Sequence, residues 1–576
     1  MDQLPHEIIK LITAHLKFKE KLQLALASRS WYQILKQSDL YSEISTNEDP
    51  LALWCRIEYS QFAAQIGALS WHVRDLDQLA FFKVLSNLTN LRHLSWFGDE
   101  EGEPAFLEMD ASFSLHKLQS VREHGAPFSV TCLLLANNVM ANLTQLEYCQ
   151  SYKGLQQVGS NTRQLSNLIS VLTNAPYLQH LKLIGTMLSI SLLEEIDTNT
   201  NSLKKMHLSD TQLLLDKAID SISMRRKVNS LQFVPSTILE TLIIEFDMDQ
   251  IIESEVPSNM GLLTTYISQK YPNLSAFEMT CDDVEYYSPG ELQFYGVLIA
   301  RLLSTMAEIR HINFNMHTLN EAIIDAIEVH QPCKIDSVTL HVDSETVEDQ
   351  LYLLSTSNIM KDRINSLKII SIDPDTDPTY IYARGFNSTL DSFSCLTSLN
   401  LVDKHRCAFF DICLMFVILR VAKGLKKLVV EHGFICFHKE KMEYFDRSFV
   451  LEELRIKEWT TMITAEPIDN TIASEEVVME LDNIHIFLEK IQYVIDAAPN
   501  LAIFEFTKAD DIHADSYSTS RLEESWILNF QKQQNLTHIH FNIGTDMCLQ
   551  NIISPNDHQS LPLREKAAYM CSLLAQ

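Results

Sequence analysis

A chain of 576 residues with 46% hydrophobic and 21% charged side chains describes a folded protein and argues against disorder throughout. Its 46 Lys and Arg stand against 75 Asp and Glu, a net charge of −29, which speaks against a general nucleic-acid or anionic-membrane binder. Glycine is scarce, at 14, and neither G-x-G-x-x-G nor G-x-x-x-x-G-K-[ST] occurs, so nucleotide folds built on glycine-rich loops are not expected.

Length alone predicts about four domains of roughly 150 residues, unless the chain is one repeat array. Eleven cysteines, an odd number scattered from Cys55 to Cys571, predict reduced thiols and a place in the cytoplasm and/or nucleus. Met1-Asp2-Gln3-Leu4-Pro5 lacks the basic lead of a signal peptide. The longest apolar stretch, Ile412 to Leu419, ends at Arg420 and falls short of a membrane span.

Leu4-Pro5-His6-Glu7 opens a predicted helix, with proline early, where its missing N–H costs little. Ile8, Ile9, Ile12 and Leu16 then take the i, i+3/i+4 spacing of one helical face. After Lys17-Phe18-Lys19-Glu20-Lys21 a second run carries Leu22, Leu24, Ala25 and Leu26, followed by Ser28-Arg29-Ser30-Trp31-Tyr32 and by Ile34, Leu35, Leu40 and Tyr41. Three helices this short cannot close a core alone. Such a module needs a neighbouring domain or a partner.

In these residues the chain resembles the F-box family. The family pattern, Leu-Pro-x-Glu-Leu/Ile through Cys-Arg-x-Trp, is matched without a gap by Leu4, Pro5, Glu7, Ile8, Ile12, Leu16, Leu22, Arg29 and Trp31. It departs at Ser28, at Glu20-Lys21 and at Leu40-Tyr41. The resemblance implies a three-helix F-box over 1–41 that docks on a Skp-type adaptor, and through it on a cullin–RING ubiquitin ligase. Leu4, Pro5, Ile8, Ile12, Leu16 and Leu22 would be the adaptor-binding residues, with Arg29 and Trp31 in the F-box core. The plainer reading, an amphipathic helical pair packed on the rest of the chain, leaves the ordered match unexplained.

Residues 42–69 are expected to form a helical junction, with Trp54, Ile57 and Phe62 burying the F-box against a repeat array. From about residue 70 one phrase returns, apolar-x-x-apolar-x-apolar. It begins at Leu91-Leu94-Trp96, Leu115-Leu118, Leu143-Leu146, Leu178-Leu181-Leu183 and Leu203-Met206-Leu208. It continues through ten further copies to Leu536-Ile539-Phe541. Chance alone produces roughly twenty such triplets in a chain this long. The context is what repeats with them: an amphipathic helical segment, a breaker such as Asn174-Ala175-Pro176-Tyr177 or Ala497-Ala498-Pro499-Asn500, then the phrase.

The mean spacing, about 32 residues, is slightly above the roughly 20–29 of the usual leucine-rich repeat. The chain resembles the irregular, helix-containing leucine-rich repeats often joined to F-boxes. The expected fold class is therefore α/β: an F-box followed by an irregular solenoid over 70–545, with parallel strands on the concave face and helices on the convex face. A C-terminal cap is expected at 546–576 and an early capping strand at Trp71–Leu76. Breaks in the period at 281–290, 373–391 and 457–480 read as surface loops.

The second and third apolar positions of each phrase point into the core, so the residues around them face the open sheet. That rule exposes His93, Lys117, His180, Lys182, Lys205 and His207, which read either as long polar side chains that simply solvate the open face or as a basic strip suited to an acidic or phosphorylated target. His311, His341, His538 and His540 continue the face. No third ligand accompanies His538-x-His540, and Asp373-Pro374-Asp375-Thr376-Asp377 has Pro378 and Arg384 where a calcium loop needs Gly and Glu. No metal or cofactor is called for, and no catalytic motif stands out. The sequence thus reads as a non-catalytic substrate-recognition subunit of an SCF-type ubiquitin ligase. A ligase-independent interaction scaffold is the alternative.

Overall fold

The repeat phrase begins with a leucine whose N–H closes a tight turn. Leu91 donates to Leu88 O (3.0 Å), Leu178 to Ala175 O (3.1 Å) and Leu501 to Ala498 O (3.2 Å). Asn90, Pro176 and Asn500 occupy the middle of these turns, where Pro presets φ and Asn tolerates turn geometry. The next two N–H groups both donate to one carbonyl of the preceding repeat. Gln179 and His180 share Thr144 O, both at 2.9 Å, and Thr397 and Ser398 share Asn365 O, also at 2.9 Å. Each turn thereby hands the chain to a strand already in register.

A computed structural model describes residues 43–46, 66–73, 84–98, 115–124, 129–149 apart from 138, 158–213, 233–246, 256–281, 299–314 apart from 301, 305 and 307, 319–330, 334–342, 347–371, 389–403, 410, 414–435, 448–461, 488–508, 528–542 and 552–553. The F-box positions Leu4, Pro5, Ile8, Ile12, Leu16, Leu22, Arg29 and Trp31 lie outside the described residues, as does the cap expected at 546–576 apart from 552–553. The chain divides into two compact units, residues 1–286 with 562–576, and residues 287–561.

In the first unit the strands are β1 (Glu43–Thr46), β2 (Ala68–Val73), β3 (His93–Gly98), β4 (Ser120–His124), β5 (Gln145–Cys149), β6 (His180–Ile184), β7 (Met187–Leu188), β8 (Lys205–Leu213), β9 (Thr241–Phe246) and β10 (Ala276–Cys281). Apart from β7, which pairs only with the far end of β8, they form one parallel ladder in chain order. Leu69, Leu94, Val121, Leu146, Leu181, Met206, Leu242 and Phe277 fall in one inward row and are all buried. Trp71 and Trp96 meet edge-to-face in the next row, with centroids 5.8 Å apart.

The helices of this unit include α1 (Val130–Asn137), α2 (Val158–Val171), α3 (Ile190–Asn199) and α4 (Val256–Lys270), with a further helical segment at 84–87. Each covers the inward rows with residues at i, i+3/i+4 spacing, such as Leu165, Leu168 and Ile169, or Leu263, Tyr266 and Ile267. Every such leucine removed from water contributes roughly 1.5–3 kcal/mol. One repeat has no facing layer of its own, and its neighbours supply it.

The second unit repeats the plan. Its strands are β11 (His311–Phe314), β12 (Ser337–Val342), β13 (Ser366–Ser371), β14 (Ser398–Asp403), β15 (Lys427–Glu431), β16 (Phe434–Ile435), β17 (Glu453–Thr461), β18 (Ile503–Lys508), β19 (Leu528–Asn529), β20 (His538–Asn542) and β21 (Ile552–Ile553). β11 to β15, β17, β18 and β20 pair in parallel in that order. β16 continues alongside β17, and β19 pairs with β21. The described helices include α5 (Glu321–His330), α6 (Val347–Thr356), α7 (Asn358–Arg363) and α8 (Leu414–Val421), with further helical segments around 299–303 and at 488–497.

Two expectations are corrected here. Within 42–69, where helices are expected, the described residues include β1 and the start of β2, which pair through Glu43↔Ala68 to Thr46↔Trp71. The early strand accordingly spans Ala68–Val73 instead of beginning at Trp71. The break expected at 457–480 also begins later, because β17 runs on to Thr461.

Both units contain the same irregularity. β6 is followed by Gly185 (φ 70°), beside Asp210 (φ 49°) in β8, and β15 by His432 (φ 60°), beside Glu458 (φ 51°) in β17. The Gly185 N–H donates to Ser209 O and the His432 N–H to Lys457 O, each at 2.9 Å. The register shifts at both places. These stacked bulges re-aim the strand ends.

Candidate functional site

The sheet face opposite the helices carries the candidate residues, because alternate strand positions must point away from the core. In β6 the pattern is direct: Leu181 and Leu183 are buried, while His180 and Lys182 look outward. Lys182 is the Cα partner of Glu147 on one side and of His207 on the other.

Carboxylates interleave with the expected cations. Glu147 receives Arg122 Nε at 2.6 Å, Lys182 Nζ at 3.4 Å and His124 Nε2 at 3.5 Å. His207 Nε2 lies 3.1 Å from Glu245 Oε2, which also accepts a 2.6 Å hydrogen bond from Ser209 Oγ. Burial pushes the Glu245 carboxyl up, but the contacts from His207 and Ser209 outweigh it and bring it down to about 2. Within the strip, Lys182 and His207 therefore each face a carboxylate. His93, His180 and Lys205, the row at the strand entries, are exposed, and His180 is the Cα partner of Lys205.

Lys117 is not on this face. Leu118 donates to Leu115 O (3.0 Å), so Leu115-x-x-Leu118 is the entry turn and the phrase proper is Leu118-Val121-Glu123. The register is three residues later than the sequence suggests, and Lys117 lies in the turn, where its ammonium donates to Asn90 Oδ1. An apolar pair three apart occurs in both the turn and the phrase. A charged residue at the third core position hid the difference.

That residue, Glu123, is 1% exposed and is the Cα partner of Trp96 and Tyr148. Its oxygens accept from the Val130 N–H (3.0 Å) and the Thr131 N–H (2.8 Å) at the start of α1. Burial drives its carboxyl up, the hydrogen bonds of Thr131, Val130 and Ser129 oppose this, and the result is about 7. The slip also concealed Arg122 and His124. His124 belongs to a ladder of stacked rings, His72–Phe97 at 4.2 Å and Phe97–His124 at 5.2 Å.

In the second unit Lys427 pairs with Glu453 (3.0 Å), Arg455 bridges Glu453 and Glu505 (3.0 Å to the latter), and His540 Nδ1 lies 3.6 Å from Glu505. His311 Nδ1 hydrogen-bonds the Ser337 hydroxyl at 3.0 Å. His341 is half-buried and His538 exposed. Among the described residues no three His, Cys, Asp or Glu side chains gather as a metal site, and no helix is long and apolar enough to cross a membrane. Ser209, His207 and Glu245 do not form a nucleophilic triad. Serine and histidine both address the carboxylate, whereas a triad needs the histidine to take the serine proton.

With this geometry in place, the N-terminal segment can be set against known families. Residues 1–47 match the F-box-like family. The leucine-rich-repeat-containing protein LegL7 of Legionella pneumophila is similar in structure at 12% identity and a TM-score of 0.33, over 61% of this chain and 97% of that one. The TLR13–ssRNA13 complex is similar at 13% identity and a TM-score of 0.36, over 86% of this chain and 62% of that chain. No curated protein sequence matches. The repeat fold rests on the chain's own parallel register and entry turns. The chain joins an F-box-like segment to a leucine-rich-repeat-type solenoid.

Proposed function

We propose that this chain is the substrate-recognition subunit of an SCF-type ubiquitin ligase, acting in the cytoplasm and/or nucleus. The single observation that carries the reading is the F-box-like match over residues 1–47 in a chain whose described residues build parallel sheets with a polar open face. Leu4, Pro5, Ile8, Ile12, Leu16 and Leu22 would anchor a Skp-type adaptor. An interface of ordinary size buries about 800 Å² per partner, and a few apolar anchors dominate its energy. The solenoid would hold a target protein close to the ubiquitin-loaded enzyme. Its contribution is effective concentration and orientation, with no covalent step of its own. An acidic target segment on the first unit would meet His93, His180 and Lys205, since Lys182 and His207 already face carboxylates.

Co-purification with a Skp-type adaptor tests the reading. Wild type should retain the adaptor, and Leu4→Ala with Pro5→Ala should lose it while circular dichroism of the solenoid is unchanged. A wild-type chain that captures no adaptor would leave the ligase-independent scaffold as the better account.

A further inference from the structure

The open face of the second unit is uneven in how its polar groups are used. On β15, β17 and β18 the charged side chains Lys427, Glu453, Arg455 and Glu505 form one continuous run of ion pairs that His540 of β20 extends from the far side of Glu505, and Lys457 reaches Glu431 at 3.5 Å. On β13 and β14 the pattern is the opposite. Lys368 and Asn400 are Cα partners, as are Ser366 and Ser398, which sets each pair about 4.8 Å apart across the ladder. Among the described residues none of these four side chains has a hydrogen-bond or ionic partner. All four are half-buried, and Asn400 Oδ1 is shut away from water without a donor.

We propose that this patch binds an extended protein segment through a single carboxylate, with the Lys368 ammonium as the charged donor, the Ser366 and Ser398 hydroxyls beside it, and the Asn400 Nδ2 group, not its buried Oδ1, as a further donor. Charge decides the class of ligand. Lys368 is the one lysine or arginine on the open face of β13 and β14, so one uncompensated positive charge meets one negative charge. A phosphoryl group carries about −1.5 to −2 and would leave charge unmatched here. Ile370 and Val402, Cα partners two residues further along the same strands and half-buried, give an apolar seat for a neighbouring side chain of the segment. An aspartate or glutamate next to an apolar residue, in a peptide laid across the strands, meets both requirements.

The inference rests on the reading of the solenoid as a recognition module. Its test uses the full chain and a phage-displayed library of random dodecapeptides. Selected peptides should carry Asp or Glu beside an apolar residue. For a synthetic copy, Glu→Gln in the peptide and Lys368→Met in the protein should each weaken Kd at least ten-fold, the effect of losing a charge-assisted hydrogen bond. The two together should weaken it little further, and Lys368→Arg should retain most of the affinity. Failure to select any peptide, selection of peptides without a carboxylate, unchanged binding by Lys368→Met, or tighter binding of the phosphoserine version would each overturn the proposal. Adaptor capture by Lys368→Met, measured in parallel, should be intact. Loss of peptide binding alone therefore bears on this patch, and loss of adaptor capture in wild type bears on the ligase reading.

Discussion

Replacing Glu123 by glutamine isolates the cost of a carboxyl in the core of the first unit. The side chain is 1% exposed between Trp96 and Tyr148, and burial, only partly offset by the N–H groups of Thr131 and Val130, pushes its carboxyl from 4.5 up to about 7. Below about pH 4.5 the group is protonated in both folded and unfolded chains. Between 4.5 and 7 the folded chain keeps a proton that the unfolded chain has released, so stability falls as pH rises through this window. At about 1.4 kcal/mol per pH unit, the loss amounts to about 3 kcal/mol by pH 7 to 8. Glu123→Gln stays neutral and should lack this dependence. Urea unfolding followed by tryptophan fluorescence is a suitable assay, since Trp96 lies beside it on β3 and Trp71 packs on Trp96 from β2. The variant should gain about 3 kcal/mol relative to wild type between pH 4.5 and 8. A difference that stays flat across this range would show that the helix start and its N–H groups keep Glu123 ionised, and would refute the reasoning.

Lys270, 3% exposed, closes α4 by reaching Glu194 (3.0 Å) and Asp197 (2.8 Å) of α3. Lys270→Met should cost about 3–5 kcal/mol in urea unfolding, because it leaves two carboxylates facing each other, and adding Asp197→Asn should recover part of the loss. Glu458, at φ 51°, sits in the region where side chains strain the backbone. Glu458→Gly should be neutral or stabilising by up to about 1 kcal/mol, whereas Lys457→Gly in the same strand should destabilise by roughly 0.5–1 kcal/mol; thermal melts of the two variants compare them directly.

Much of the architecture was legible because a solenoid repeats its local grammar. Leu178, Leu181 and Leu183 follow Pro176, and the same order around Pro272 and Pro499 gives a turn and then a strand each time. The misreading at Leu115-x-x-Leu118 arose because turn and phrase both place apolar residues three apart. With Glu123 in the place of the third apolar residue, nothing local distinguished the two. Strand 43–46 was missed for a related reason: four residues, Glu-Ile-Ser-Thr, carry too little pattern until the neighbouring strand supplies their hydrogen-bond partners.

The sequence by itself determined the F-box-like start, the alternation of helix and strand, the inward rows of leucine and the outward position of His180, Lys182, Lys205 and His207. Periodicity and turn residues are properties of contiguous chain, so they can be read without coordinates. Only the tertiary structure decided which of those residues face carboxylates. Glu147 lies 35 residues from Lys182, and Glu245 lies 38 from His207, and parallel pairing through helices and turns of varied length brings them together. The same register leaves Lys368 beside Asn400 with no counter-charge among the described residues. Cross-strand chemistry depends on that register, and unequal repeat lengths conceal it from any reading along the chain.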